Sequence, residues 1–342
     1  RCDSLNLDGT TKPSNQDHGT YGHAQKMRAS MTYAFRRLNS LGNMPWHESD
    51  IGGGIMVGNP SISVEVSSYM CSLCRCKAQL GEAASSTRAI TLDILLKLYH
   101  HNHLPENWAV HAYRPGEWTR GGSGDSLGQW GGGRVQRLLQ AAYTVAFLCM
   151  LQFDKVLKIQ VHDLCVHEDE PDEVILHLPF HKTHQNGDIK LFNLWALPLA
   201  KAHLCPVRAL AAWLCESKIT SCYLFRKVAS GDRIAEANSP MSSEQFLELF
   251  RNNLLDVNID PAPYGTHSFC RGGCQYLHIE RHWPLRRICE WGGWSTEFTN
   301  LTIVKYLISS NDDLAEPRTQ FFNPNRHTTV KCPQCGRCCL CG

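Results

Sequence analysis

Cysteine and histidine are the side chains through which this chain could do most chemistry, with 17 of each among its 342 residues. Such numbers fit either a disulfide framework or metal sites. The C-terminal run CPQCGRCCLCG places Cys332, Cys335, Cys338, Cys339 and Cys341 close together, and thiolates two residues apart can share one ion. Ligand pairs usually stand farther apart, however, and so short a run hardly makes a knuckle by itself. The expectation is therefore no metal, with zinc at Cys332, Cys335, Cys338 and Cys341 as the weaker alternative. Cys71, Cys74 and Cys76 fall in a helical pattern and read as buried thiols. No basic-then-apolar leader opens the sequence, so reduced intracellular thiols are expected. The sequence contains no His-Glu-x-x-His, no Walker motif and no recognisable Cys–His nucleophile arrangement.

Stepping out from these residues, 43% hydrophobic and 19% charged content is that of a globular chain of about two domains. A net charge of +2 neither demands nor excludes a polyanion, because such binding depends on where the charges cluster. The apolar run Val145–Leu151 is too short to span a bilayer, and no membrane partner is expected. Residues 1–20 are polar and aperiodic, a flexible lead-in. Helical spacing runs over Tyr21–Arg37, Ser63–Gln79 and Ser86–Tyr99, giving a helical domain over 21–113. The Gly-rich stretch 114–133 reads as a linker. Beyond it the pattern predicts a buried helix, Arg134–Leu151, and two strands, Val174–Phe180 and Ile189–Leu197. Asn186-Gly187 supplies the turn between those strands. Helices follow over Pro206–Glu216, Ser242–Leu255, His267–Ile279, Leu285–Trp291 and Leu301–Ser309. The fold class is mainly α with a small antiparallel hairpin, α+β, with a second domain over 134–322 and a Cys-rich tail over 323–342.

Four segments of the second domain stand out: LQFDKVLKI (Leu151–Ile159), Lys182 in the hairpin turn, GTHSFCRGG (Gly265–Gly273) and GGWSTEFTNLTIVKYL (Gly292–Leu307). Taken singly, each has a bland reading. Tyr306 is a core tyrosine of an apolar helix, Lys182 a solvated turn residue, His267 a helix-start histidine and Trp294 a packing residue.

In order, the four resemble the active-site boxes of the tyrosine recombinases. Phrases such as FDKVLKI, PMSSEQFLELFRNNLL and ICEWGGWS are most similar to the recombinases of Crypton-type fungal transposons. The resemblance spans roughly residues 135–325, and the helical first domain fits the family's core-binding half more loosely. It implies double-stranded DNA as partner, possible homo-oligomers on DNA, a nuclear location and no cofactor. It also implies chemistry in which a tyrosine oxygen attacks the scissile phosphate, forms a 3′-phosphotyrosine and releases a 5′-hydroxyl. Two arginines would clamp the phosphate, a hairpin lysine would serve as general acid, and a histidine with a Trp or His would position the phosphate.

Carried onto this chain, the resemblance makes Tyr306 the nucleophile, Lys182 the hairpin lysine, His267 the histidine of His-x-x-Arg and Trp294 the Trp or His. The clamp is degenerate. Gln152 stands where the family has the first arginine, with Lys155 in place of its glutamate, and Cys270 stands where it has the second. Arg271 is adjacent to Cys270, but one residue along a helix turns a side chain by ~100°, so it does not replace the clamp. The family reading is thus a transposon-derived recombinase impaired in strand cleavage, and the alternative is a non-catalytic DNA-binding protein on the same fold.

Further DNA contacts are expected from Arg271, Arg281, Arg286 and Arg287, with His278 and His282 nearby, and from Lys26, Arg28, Arg36 and Arg37 in the first domain. Twelve of the 17 cysteines lie outside the tail without shared spacing. Arg to Gln, Arg to Cys and Glu to Lys are each one C-to-T change away, so part of the Cys and His excess reads as decay of a transposon copy.

Overall fold

In the computed structural model the described residues are 10–13, 19–38, 41, 44–49, 53–79, 87–110, 131–167, 169–178, 191–229, 231–294, 302–308, 312, 323–325 and 332–337. The chain forms two compact units, Arg1–Ser85 and Ser86–Gly342. It is mainly helical with small antiparallel sheets, the α+β class expected from the sequence.

The first unit holds helices α1 (Tyr21–Leu38) and α2 (Val64–Gln79) and a pair of two-residue strands, β1 (His47–Glu48) and β2 (Met56–Val57). Arg28 clips it together. Its guanidinium donates from α1 to the Ser61 carbonyl and to the Ser67 hydroxyl of α2, both at 2.9 Å.

The second unit is built from α3 (Leu92–Asn102), α4 (Pro105–Trp108), α5 (Gly133–Leu148), α6 (Phe153–Val156), α7 (Pro206–Ser217), α8 (Ser243–Asp256), α9 (Ser268–Gln275), α10 (Leu285–Trp291) and α11 (Thr302–Leu307). Helix α5 is buried nearly all round, and α7, α9, α3 and α6 pack on it. One sheet runs in the order β3 (Leu164–His167), β4 (Glu170–Leu176), β5 (Phe192–Trp195), all antiparallel. Alternation sets its faces: Phe192 and Leu194 are buried while Asn193 and Trp195 are exposed. The expected hairpin is therefore β4–β5. Its first strand starts and stops earlier than the sequence pattern suggested, its second starts later and stops earlier, and its turn lies outside the described residues. Strand β3, short and largely exposed, carries no alternation by which the sequence could have announced it. A minor pair, β6 (Val228–Ala229) and β7 (Arg233–Ile234), completes the sheets.

Two local devices shape the region that matters below. Helix α5 ends with Met150 at φ 51, in the left-handed region. The amide of Leu151 donates to the Ala146 carbonyl and that of Met150 to the Phe147 carbonyl, at 3.0 and 3.4 Å. This paired closure normally uses glycine. It turns the chain sharply, so that Leu151–Gln152 leads straight into α6. The second device is Gly272-Gly273 on α9. A side chain at Gly273 would run into the Phe147 carbonyl of α5, and one at Gly272 into the Ile90 carbonyl.

The boundary between units departs from the sequence expectation. Residues 87–91 were grouped with a helix of the first domain. They run extended instead, with Arg88 and Ile90 amides donating to the carbonyls of Pro263 and Ser268 at 2.8 and 2.9 Å. Thr91 then caps α3, its hydroxyl accepting from the Ile94 amide. Ile94, Leu95 and Leu98 join the large core of the second unit, so α3 belongs to that unit and the change falls near residue 85 rather than in the Gly-rich stretch.

Gly273→Ala should destabilise the second unit. Alanine gains about 1 kcal/mol of helix propensity over glycine, but the obstacle is backbone and cannot swing aside, and overpacking of this kind costs about 1–3 kcal/mol. A lower urea midpoint with an unchanged slope is the expected result.

Candidate active site

Helices α9, α10 and α11 share a second, smaller core made of Met150, Cys270, Cys274, Leu277, Ile288, Cys289 and Ile303, with Trp294 and Tyr306 packed against it. That core brings the separate sequence segments together. The Trp294 and Tyr306 rings lie 4.8 Å apart at 42°. The Tyr306 hydroxyl donates to the Cys270 thiol and accepts from the Gln152 amide. The same Gln152 Nε2 lies 3.1 Å from His267 Nε2. An amide nitrogen has only hydrogens to offer, so His267 Nε2 accepts, and the ring proton resides on Nδ1, 3.3 Å from the Thr266 hydroxyl.

Gln152, His267, Cys270, Trp294 and Tyr306 thus meet at one point. Lys182 lies outside the described residues.

The electrostatics of this point are neutral. Burial, and then the neighbouring Cys270, push Tyr306 well above the ordinary tyrosine value. Burial drives Cys270 up to about 12, so it is a protonated thiol. Burial also lowers His267, with Asp154 opposing, even though the residue keeps an exposed edge, and it is uncharged at neutral pH. Of the described residues, those acting most on the Tyr306 hydroxyl are Cys270, Gln152 and Cys274, none of them a cation. The arrangement can hold a phenol in place. Among the described residues that meet there, none offers a charge to a phosphate.

One helical position away, Arg271 has the opposite fate. It was grouped with the DNA-facing cations, but its side chain is 6% exposed and donates to Asp312 Oδ2 at 2.6 Å. Asp312 also accepts from Gln275 Nε2 at 2.9 Å and from the Ala89 amide at 2.9 Å. Gln275 Nε2 in turn reaches the Tyr306 carbonyl at 3.2 Å. Asp312 and Gln275 therefore fix the backbone of the tyrosine helix. Nothing in the sequence singled them out, since Arg271 and Asp312 lie 41 residues apart. The one available hint was an arginine inside the apolar, Gly-containing run SFCRGGCQ, which needs a buried acid.

Arg281, Arg286 and Arg287 are exposed, as are His278 and His282. Arg286 makes a 3.4 Å pair with Glu290, and Arg287 lies over the Trp283 ring at 4.1 Å. In the first unit Lys26, Arg36 and Arg37 are exposed on α1. Arg28 is half-buried, and its guanidinium donates to Ser61 and Ser67. Among the described residues no cluster of three metal-ligating side chains occurs, and no helix is long and apolar enough to cross a membrane.

No protein-family model matches the chain, and no curated protein matches it. Among solved structures it is similar to the XerH site-specific recombinase bound to difH substrate in a pre-cleavage complex. Identity there is 11% and the TM-score 0.41, over 66% of this chain and 51% of that one. A second is the XerH post-cleavage complex with palindromic difH substrate, at 11% identity and TM-score 0.42, over 64% of this chain and 50% of that one. The chain spans about half the length of these recombinase chains.

Asp312→Asn should cost about 3–5 kcal/mol, because it leaves a buried guanidinium without its counter-charge. Arg286→Ala, which breaks an exposed pair, should move stability by less than about 1 kcal/mol; urea unfolding of both variants checks the contrast. Tyr306 gives a pH signature. Its folded-state pKa is raised, so the unfolded chain releases this proton first. The stability it contributes is intact below about pH 10 and is lost as pH rises beyond that value. Above pH 10 the wild type should therefore lose up to about 1.4 kcal/mol per pH unit relative to Tyr306→Phe, measured by urea unfolding at stepped pH.

Proposed function

We propose that this chain is a transposon-derived tyrosine recombinase of Crypton type that binds double-stranded DNA in the nucleus and has largely lost strand cleavage. The observation that carries the reading is the convergence of Gln152, His267, Cys270, Trp294 and Tyr306 around one hydroxyl. These residues come from three segments up to 154 positions apart, and they are the ones to which the sequence resemblance gives roles around a tyrosine hydroxyl. The exposed arginines Arg281, Arg286 and Arg287 supply a patch for the phosphate backbone.

The same convergence favours a second reading, a DNA-binding protein that does not cut. Both clamp positions carry neutral side chains, and these are bonded to the would-be nucleophile itself. Losing one oxyanion-stabilising donor commonly costs about 10²–10³ in rate, and here two are gone. Tyr306 would have to leave Cys270 and Gln152 before it could approach a phosphate.

The test is incubation with nicked duplex carrying the element's terminal sequence, followed by a denaturing gel. The expected wild-type result is duplex retention with little or no covalent adduct. The double change Gln152→Arg and Cys270→Arg should raise an adduct that Tyr306→Phe abolishes. A Tyr306-dependent adduct in the wild type at the level of the double variant would overturn the claim of impairment. Replacing Arg281, Arg286 and Arg287 by Ala should weaken duplex binding and lower the salt slope by about 1 per lost phosphate contact. Unchanged binding would remove the patch from the proposal.

A further inference from the structure

None of the residues of α4 is buried. This short helix adds nothing to the core, and it is kept in place by ring contacts and polar bonds to two histidines of α3 and one arginine of α5. The His103 ring lies between the rings of Tyr99 and Trp108, 3.9 Å from the centre of each, with its plane 31° and 20° from theirs. The Arg137 guanidinium carbon stands 4.1 Å from the centre of the Trp108 ring. Two groups so near one ring centre cannot share a face, so Arg137 covers the side of Trp108 opposite His103. Tyr99, His103, Trp108 and Arg137 therefore form one column from α3 through α4 to α5. Arg137 Nη1 also donates to the Trp108 and Gly133 carbonyls at 2.7 and 2.8 Å. The second histidine is His101. The Asn107 side-chain amide donates to the His101 carbonyl at 2.8 Å and to His101 Nε2 at 3.2 Å.

Both histidine contacts suit an uncharged ring. An amide nitrogen offers only hydrogens, so His101 Nε2 must present its lone pair to Asn107. A proton on that nitrogen would end this bond and favour Asp256 Oδ2 of α8, which lies 3.5 Å away. His103 Nδ1 donates to the Tyr99 carbonyl at 2.8 Å, so a second proton must enter at Nε2, within the column. Among the described residues no carboxylate pairs with it. The groups that act on His103 electrostatically are Arg137 on α5 and the exposed His100 on α3. On the short 3₁₀ helix Leu199–Leu204, His203 meets the edge of the Tyr99 ring at 6.4 Å, and the exposed Lys201 stands near it. The acids lie elsewhere: Glu106 of α4 is exposed, and Glu216 and Asp232 act on Arg137. Burial lowers His103 below the ordinary histidine value, with the Tyr99 bond opposing and Arg137 and His100 adding to the effect.

We propose that α4 is an acid-released flap, closed on α3 and α5 while His101 and His103 are neutral and let go when they take up protons. Because the closed form disfavours the His103 cation, closure is complete above the ordinary histidine range and is lost as pH falls through and below it. Helices α3 and α5 stay behind, anchored in the large core by Ile94, Leu95, Leu98, Leu138 and Leu139. Release bares the Trp108 ring and the Arg137 guanidinium. The inference does not rest on the recombinase reading.

The test is hydrogen exchange of the full chain, followed by mass spectrometry and corrected for the intrinsic pH dependence of exchange. The amides of Asn107, Trp108 and Ala109 bond to the Leu104 and Pro105 carbonyls and report on the flap. Between about pH 7.5 and about pH 5.5 their protection should fall, by up to about tenfold from His103 alone. Residues 138–147 of α5 should keep theirs. In the double variant His101→Gln with His103→Phe, an oxygen still accepts from Asn107 and a flat ring still fills the column, but neither takes a proton. Protection of α4 should then be the same at both pH values. The proposal is overturned by unchanged α4 protection in the wild type, by an equal fall in the double variant, or by loss of protection across α5 as well, which marks acid unfolding of the whole unit. Should the double variant fail to fold, the wild type decides by itself: the fall in α4 protection must follow the titration of the His103 ring carbons seen by NMR, and a fall that does not follow it overturns the proposal.

Discussion

The carboxylate of Asp312 has no exposure to solvent, and everything that makes the candidate site a site is tied to it. A buried charge is tolerable only when paired and hydrogen-bonded. Asp312 meets that demand by drawing in partners from distant parts of the chain: Arg271 and Gln275 from one helix and the Ala89 amide from the extended segment ahead of α3. Gln275 then splits its amide between this acid, the Tyr306 carbonyl and the Arg337 guanidinium. The tyrosine helix is thus placed by backbone and structural bonds rather than by the residues that face its hydroxyl. Changes at those facing positions can accumulate without moving the helix.

The separation of the two roles follows from helical phase. Cys270 and Arg271 are neighbours in sequence but point in directions ~100° apart. One faces the Tyr306 hydroxyl and the other the buried acid. Gly272 and Gly273 follow at once and let the helix lie directly against the backbone of Phe147 and Ile90. Within this one turn, substitution at 270 changes the chemistry of the site, whereas substitution at 271 or 273 attacks the fold. A cation is present in the right helix, yet it is committed to holding the structure together and is unavailable to a phosphate.

How much of this was legible in the sequence varies with the range of the interaction. Helices α1, α2, α5, α7, α8 and α10 could be read because their apolar spacing is local, and α8 advertises its start through the Ser242–Gln245 capping box. The β4–β5 pairing was legible through the apolar runs that became its strands. What escaped was set by pairing across the chain. Residues 87–91, of which only Arg88 and Ala89 are good helix formers, become extended because amides among them are taken by Pro263, Ser268 and Asp312. Met150 adopts a conformation that its side chain does not favour, because the turn after α5 is over-determined by its two closing hydrogen bonds. Arg271 read as a surface cation because its acid lies far along the chain. The same blindness hid the support beneath residues 332–337, whose partners Thr91 and Lys97 precede them by more than two hundred residues.

The neutral side chains at 152 and 270 also have a stability side. Two guanidiniums converging on a phosphate repel one another when the phosphate is absent, and desolvating such charges without partners costs several kcal/mol. Gln152 and Cys270 remove that burden. Gln152 bridges His267 to the tyrosine hydroxyl, and Cys270 takes the hydroxyl proton's hydrogen bond while its own thiol reaches back to the His267 carbonyl at 3.1 Å. Without ligand the result is a site whose polar groups are satisfied among themselves. A site that closes on itself in this way gains in the unbound state what it gives up toward the transition state, which is the usual direction of exchange between stability and activity. Replacements at 152 and 270 meet little penalty from the fold, because the acid at 312 keeps the tyrosine helix in place independently of what its hydroxyl touches.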